Sequence, residues 1–352
     1  MTIIKHTTYL KSIISIFFLL ILIVSLTNYT VDPAGIYHGQ KNLKNIVLEI
    51  ESSKNGIIFR GAWNERIIAL SLAKFSAKTS CYVIGSSHVA AIGSARQQTS
   101  FTRDCPNLIN LSVAGASLED FIALSGVIIK NKNQPKTIVF GIDPWSLNFD
   151  RDRRWITYKD EYESFLQTIT NNKDGYYKEY SLMKNLINFE YFIHSVNEIN
   201  SIEKTIINAP EFDQAVGYDE AVQLRDGSFV YSKETIQKRR NKIVTGLHHY
   251  KIVDGVWYSE SAVKTFKNLL QYLQLNYDVI LVLAPYHPAI WKYDDQPIDT
   301  AMGIIEDKVH EIAESLSIKV VGSYNPKKVG CMEEDFIDDM HSSAICMMKL
   351  QR

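Results

Sequence analysis

Three side chains in this sequence are of the right type and spacing for covalent chemistry. Ser87 follows an apolar run, Cys81-Tyr82-Val83-Ile84, that breaks into Gly85-Ser86-Ser87-His88. That pattern belongs to a buried strand ending in a tight turn. Near the other end of the chain, Asp338-Asp339-Met340-His341 sets a carboxylate three residues before an imidazole. On a helical turn, positions i and i+3 share a face, so Asp338 is able to hold the His341 ring. A serine at a strand end and a histidine steered by a carboxylate are the minimum equipment for nucleophilic acyl transfer. Each fragment also has a plain structural reading. Serine is a favoured helix N-cap, and a lone histidine near a terminus is ordinary surface.

The elements that must position these groups follow from hydrophobic periodicity. Strand-like runs fall at 82–84, 108–113, 137–140, 279–283 and 318–321, separated by helical patterns such as 118–129 and 263–273. In the second of these helices Val263, Phe266, Leu269, Leu270 and Leu273 share a face. Strands alternating with helices predict an α/β fold around a parallel five-stranded sheet. Between the third and fourth strands lies an insert at about 151–258, rich in Tyr, Asn, Lys and Glu and partly helical in pattern. A structureless loop of that size is exceptional, so a lid or cap subdomain is expected. Ligands of open parallel sheets bind beyond the carboxyl ends of the strands. Those ends carry Ser87, then Gly115 within 110–117, then Asp143 and Trp145, then Tyr286 and His287. His88 and His287 are read as lining the pocket, not as the base.

Composition sets ordinary limits. The chain has 352 residues, 46% hydrophobic and 22% charged, with a net charge of −1 that gives no reason to expect a nucleic-acid partner. Nine histidines and four cysteines show no metal-ligand spacing, so neither metal nor cofactor is expected. The N-terminal region is more informative. Residues 12–31 contain no charge, which is about the length that crosses a bilayer as a helix. Lys5 and Lys11 precede this run and Asp32 follows it, so residues 1–11 are expected in the cytoplasm and the main domain outside. The rival is a cleaved signal peptide, for which 24–29 offers no clear small-x-small site. A connector follows over 32–79, with a turn at Asp32-Pro33-Ala34-Gly35 and an amphipathic helix over 63–77 built on Ile67, Leu70 and Ala73.

Taken in order, these blocks resemble the SGNH (GDSL-like) hydrolase superfamily. Its Gly-Asp-Ser block matches Gly85-Ser86-Ser87, with Ser87 in the nucleophile's place and Ser86 where the family has aspartate. Gly115 matches the block whose backbone N–H joins that of the nucleophile in the oxyanion hole, and Asp338 and His341 match the closing Asp-x-x-His. The third block normally reads Gly-x-Asn-Asp, and here Asp143 stands at the asparagine. An ionised carboxylate donates no hydrogen bond and repels an oxyanion. Asp143 is therefore protonated, or turned away, or replaced as donor by Trp145 or Ser117. The resemblance covers roughly residues 80–352 without the insert, and implies a three-layer α/β fold with Ser87, His341 and Asp338 as a triad.

One anchor, an outward domain and an altered third block are similar to membrane-anchored members that attach acyl groups to bacterial surface polymers. The resemblance implies a surface-glycan substrate and a multi-spanning membrane acyltransferase as partner, since one span moves no acyl group across a membrane. Two classes stay open: an acyltransferase or esterase acting on acyl, chiefly acetyl, groups of a periplasmic or surface glycan, and a non-catalytic glycan-binding or assembly factor. In the insert, Trp155, Tyr158, Tyr162, Tyr176 and Tyr177 either pack sugar rings or form a small core of their own. In the family's sheet the first two strands are neighbours, so Cys81 and Cys105, each just before a strand, come within bridging reach; Cys331 and Cys346 bracket the Asp338–His341 loop. The alternative is four buried thiols.

Overall fold

The computed structural model of the chain describes residues 2–350 apart from 33–36, 38–42, 62, 77–78, 94–102, 104, 132–134, 171–185, 200–204, 212–216, 241, 243–245, 248, 254 and 293–296. The chain divides into two compact units. The first comprises Met1–Asn42, Arg60–Asn64 and Asp174–Thr205, and the second Leu43–Phe59, Glu65–Lys173 and Ile206–Arg352. The first is dominated by the helix Thr2–Val31. Its stretch Tyr9–Val31 is long and apolar enough to cross a membrane, and of these residues only Asn28 is buried within the protein.

The second unit is mixed α/β. In chain order its strands are β1 (Ile57–Arg60), β2 (Cys81–Ile84), β3 (Leu108–Asn110), β4 (Thr137–Gly141), β5 (Thr205–Asn208), β6 (Val222–Gln223), β7 (Phe229–Val230), β8 (Asp278–Leu283) and β9 (Lys319–Gly322), with β1 and β5 each reaching one residue into the first unit. Five of them form one sheet in the order β3-β2-β4-β8-β9. Every pairing in it is parallel. These are the five strands expected from the periodicity, with ends shifted by up to three residues. β2 and β4 are buried along their whole length without alternation, as strands covered on both faces must be. Val83, Val139 and Val282 face a core shared with Val89, Met347 and Leu350. The next residue along β4, Phe140, points the other way and packs on Phe121 and Phe266 from helices Leu118–Lys130 and Glu260–Gln274. Each such side chain contributes about 1.5–3 kcal/mol on burial.

The remaining strands form a second sheet in the order β5-β1-β6-β7, which the periodicity did not reveal. β6 and β7 have two residues each, too short for an alternation to register. This hairpin is bonded to β3 and to the turn after β2: Asn110 N–H donates to Asp226 O at 2.7 Å, and Phe229 N–H to Ala90 O at 2.8 Å. A helix was expected over 63–77 in a connector. It spans Glu65–Phe75 and packs against Leu43–Ser52 and Leu118–Lys130 within the second unit.

Both cysteine pairs are bridged, Cys81 to Cys105 and Cys331 to Cys346, with Cα–Cα distances of 5.5 and 5.4 Å. The second closes the segment that carries Asp338 and His341. Replacing Cys331 and Cys346 by alanine is expected to cost about 3 kcal/mol, the entropy of a loop of this length. Urea unfolding of the double variant checks this. An unchanged midpoint shows that the bridge does not hold the loop.

Candidate active site

Ser87 is placed by close packing around one valine. It opens the 3-10 turn Ser87–Val89, and Val89 sits between Gly85 and Gly141, where an added Cβ would lie 2.5 Å from a Val89 methyl in either case. Only glycine at both strand ends lets the turn dock so deeply. The N-cap of this turn is Ser86, whose hydroxyl accepts from His88 N–H at 3.2 Å. The capping role considered for Ser87 therefore falls to its neighbour. Asn110 secures the turn from β3, donating from Nδ2 to Val89 O and Ile92 O, both at 2.8 Å.

His341 arrives from the far end of the chain. The expected helical turn is absent: 337–340 form a bend between paired Phe336 and Ser342. Ile337 N–H donates to His341 O at 2.8 Å across it. Asp338 folds back on this bend, and its Oδ1 accepts from Met340 N–H at 2.8 Å and His341 N–H at 2.7 Å. The helix Ala344–Met348 then buries Met347 in the sheet core and fixes the loop from behind.

The result is a continuous relay. Ser87 Oγ lies 2.8 Å from His341 Nε2, across 254 positions of sequence. His341 Nδ1 lies 2.8 and 2.9 Å from the two Asp338 oxygens. The carboxylate only accepts, so Nδ1 carries the ring proton and Nε2 presents a lone pair to the serine hydroxyl. Burial raises the Asp338 pKa, but the hydrogen bond and charge of His341 and two backbone N–H groups outweigh it and hold the carboxyl below its usual range. Burial also depresses His341; the bond to Asp338 opposes this and nearby His88 adds to it, leaving a net lowering. The imidazole is thus neutral near pH 7, the form a general base requires.

The other expected residues divide. Gly115 has a left-handed φ of +60° in a turn pinned on both sides: Ala114 N–H donates to Glu65 Oε2 at 3.0 Å, and Arg154 Nη2 to Ala114 O at 2.7 Å. The chain leading to it runs beside the Ser87–Val89 turn, with Val113 N–H on Gly85 O at 3.0 Å. His88, Trp145 and Tyr286 cluster at the relay; the His88 ring lies 5.1 Å from His341, 5.5 Å from Trp145 and 4.9 Å from Tyr286. His287 instead braces the acidic loop. Its N–H donates to Asp339 O at 3.1 Å, and its ring packs on Phe336 at 5.3 Å.

Asp143 is buried and turned to His88, its Oδ1 hydrogen-bonded to His88 Nδ1. The same nitrogen is 3.1 Å from the Tyr286 hydroxyl. Both substitute donors weighed above are engaged elsewhere: Trp145 Nε1 donates to Ala116 O at 2.9 Å, and Ser117 Oγ to Asp120 Oδ2 at 3.1 Å. Asp143 Oδ2 is buried with no hydrogen-bond partner among the described residues. In Asp143→Asn, Oδ1 keeps its bond to His88 and an amide N–H₂ replaces the unpartnered oxygen. Ester hydrolysis is expected to rise by roughly tenfold, a fraction of what one well-placed oxyanion donor is worth. Rates at or below wild type would remove Asp143 from the oxyanion side.

Several residues at the site have no motif. Tyr231, one residue past β7, meets the His341 ring edge-on at 5.6 Å and carries Arg239 over its own ring at 5.4 Å. Burial pushes the Tyr231 hydroxyl up to about 12, so it stays protonated. Arg239 also reaches Asp338 Oδ2 at 3.3 Å. Below, Tyr250 donates to Asp339 Oδ2 at 3.1 Å. All come from the insert, whose distance in sequence from Ser87 and His341 hides them. Of the insert aromatics, Trp155, Tyr158 and Tyr162 are core, buried with Trp155 and Tyr162 rings 4.9 Å apart. They offer no face to a sugar. Tyr176 and Tyr177 lie outside the described residues. Among the described residues no group of His, Cys, Asp and Glu has the arrangement of a metal site.

No protein-family model, no curated protein and no solved structure matches this chain.

Proposed function

We propose that this chain is a membrane-anchored, extracytoplasmic SGNH-like acyltransferase or esterase that moves acyl groups, chiefly acetyl, on a bacterial surface glycan. The observation that carries the reading is the Ser87–His341–Asp338 relay, assembled at the strand ends of a parallel sheet. In this mechanism Ser87 attacks the acyl carbonyl as His341 takes its proton, and Asp338 stabilises the resulting imidazolium. The backbone N–H groups of Ser87 and Gly115 receive the oxyanion. His341 then returns the proton to the leaving alcohol, and water or a sugar hydroxyl completes the exchange by the reverse route. Two disulfides suit an oxidising compartment outside the cytoplasm. Residues 12–31, within the apolar stretch Tyr9–Val31, serve as the span, with Lys5 and Lys11 on the cytoplasmic side. A multi-spanning acyltransferase in the same membrane would supply the acyl group.

Asp143 at the position of the third donor favours transfer over fast hydrolysis. Simple acetyl esters should turn over slowly, and acyl loss should quicken when a glycan acceptor is added. Assay of the full chain in detergent with a chromogenic acetyl ester, with and without glycans, tests this. A second reading, a glycan-binding factor without efficient chemistry, draws on the Asp143–His88 pairing. It gains ground if no acyl donor turns over while glycans still bind.

The lowered pKa of His341 makes a further prediction. The base works only unprotonated, so kcat/KM should rise with pH through the His341 pKa and be half-maximal below the ordinary value of 6.5. In Asp338→Asn the carboxylate charge that supports the imidazolium is lost, and this acid limb should move lower still while the plateau falls. A half-maximum above pH 7 in the wild type contradicts His341 as base.

A further inference from the structure

The insert returns to the first unit at a defined height on the apolar helix. Asn28, in the last turn of Thr2–Val31, is fully buried there. Its Nδ2 donates to Leu186 O at 2.9 Å and Asn188 O at 3.0 Å, and its Oδ1 accepts from Ser195 Oγ at 3.2 Å. One turn further on, Tyr191 donates to Asp32 Oδ1 at 2.8 Å. These four bonds fix the helix Phe189–Ile199 beside the end of the apolar stretch. At a rise of about 1.5 Å per residue, the bonded positions lie within roughly one turn of that end.

Tyr191 and Ser195, one turn apart, face the long helix. Phe189 and Ile193, also one turn apart, occupy another face and are 66% and 46% exposed. Ile187 and Ile199 extend the apolar surface at 58% and 61% exposed. Phe192 stacks on Phe189 at 5.9 Å, and Tyr29 packs against Tyr37 at 5.4 Å, so aromatic rings gather at the same level. Aromatic girdles mark the boundary between hydrocarbon and water, and an amphipathic helix with one apolar face lies in that plane.

We propose that Phe189–Ile199 is an interfacial helix that inserts Ile187, Phe189, Ile193 and Ile199 into the outer leaflet, giving the insert its own membrane contact. The inference rests on the reading of Tyr9–Val31 as a span. Its occupant is lipid, because the helix is tied to the point where that span leaves the hydrocarbon. A solvent-facing helix would have no use for four large exposed apolar side chains at that level.

The four native cysteines are all bridged, so one engineered cysteine takes a single fluorophore. Full-length Ile193→Cys and Phe189→Cys would be labelled in nanodiscs of phosphatidylethanolamine and phosphatidylglycerol. Leu20→Cys would report the span, and Lys238→Cys, on an exposed helix, would report water. The inference expects shallow lipid-borne nitroxides to quench positions 189 and 193 more than deep ones, with aqueous iodide several-fold less effective than at 238. Iodide quenching equal to that at 238 overturns it. Protection from both quenchers also overturns it, since a second copy of the chain then covers the face. If Leu20 itself escapes lipid quenching, the span reading fails and takes the inference with it. If Leu20 is quenched and 189 and 193 are not, the inference alone fails.

Discussion

Ser87→Ala should abolish ester turnover, with kcat/KM falling by on the order of 10⁴-fold or more. The hydroxyl sits 2.8 Å from the lone pair of His341, and among the described residues no other hydroxyl is placed against that nitrogen. The residue is also cheap to change structurally: Ser86 caps the turn and Val89 anchors it, so alanine at 87 leaves the fold intact. His341→Ala should cost about as much, and the double variant little more, because nucleophile and base act as one unit. Asp338→Asn should cost less than His341→Ala. Initial rates on a chromogenic acetyl ester, with folding checked by circular dichroism, measure all four. A near-wild-type rate for Ser87→Ala removes the mechanism.

The largest effect on stability is expected at Arg66. Its guanidinium meets Asp120 in a two-point bridge, Nε to Oδ1 at 2.8 Å and Nη2 to Oδ2 at 2.9 Å, with side-chain exposures of 1% and 0%. Asp120 Oδ2 also accepts from Ser117 N–H at 2.8 Å, so the pair holds the turn that carries Gly115. Arg66→Ala strands a buried carboxylate and should cost about 3–5 kcal/mol. The charge causes most of that loss, not the contact, so Arg66→Met with Asp120→Leu should recover a large part of it. Urea unfolding of the single and double variants separates the two effects. A double variant as unstable as Arg66→Ala would show that packing dominates instead.

The parts of the molecule legible in its sequence are those with a local signature. The five core strands are short apolar runs ending at glycine, asparagine or proline, and each was visible from a few consecutive residues. Asp338 and His341 lie three apart, so their meeting required only a tight bend, although the bend is not helical. The resemblance put Cys81 and Cys105 at neighbouring strands, and Cys331 and Cys346 bracket the Asp338–His341 loop, while four buried thiols stood as the alternative. What stayed hidden depends on contacts between distant segments. Tyr231 reaches His341 because the β6–β7 hairpin is hydrogen-bonded to Asn110 and Ala90, and two-residue strands carry no periodic pattern. The pairing of His88 with Asp143 joins two strand ends, and neither residue type announces it. Trp155, Tyr158 and Tyr162 have the composition of a sugar platform but are buried as core, a distinction only packing makes.

The central claim is that His341 and Asp338 make Ser87 nucleophilic. The most direct measurement is covalent capture by a fluorophosphonate, which reports an activated serine whatever the natural acyl donor. Fragmentation mass spectrometry of the treated full-length protein should find one adduct per chain, on Ser87 and not on Ser86, and none in His341→Ala. An unmodified Ser87, or equal labelling after His341→Ala, would contradict the account.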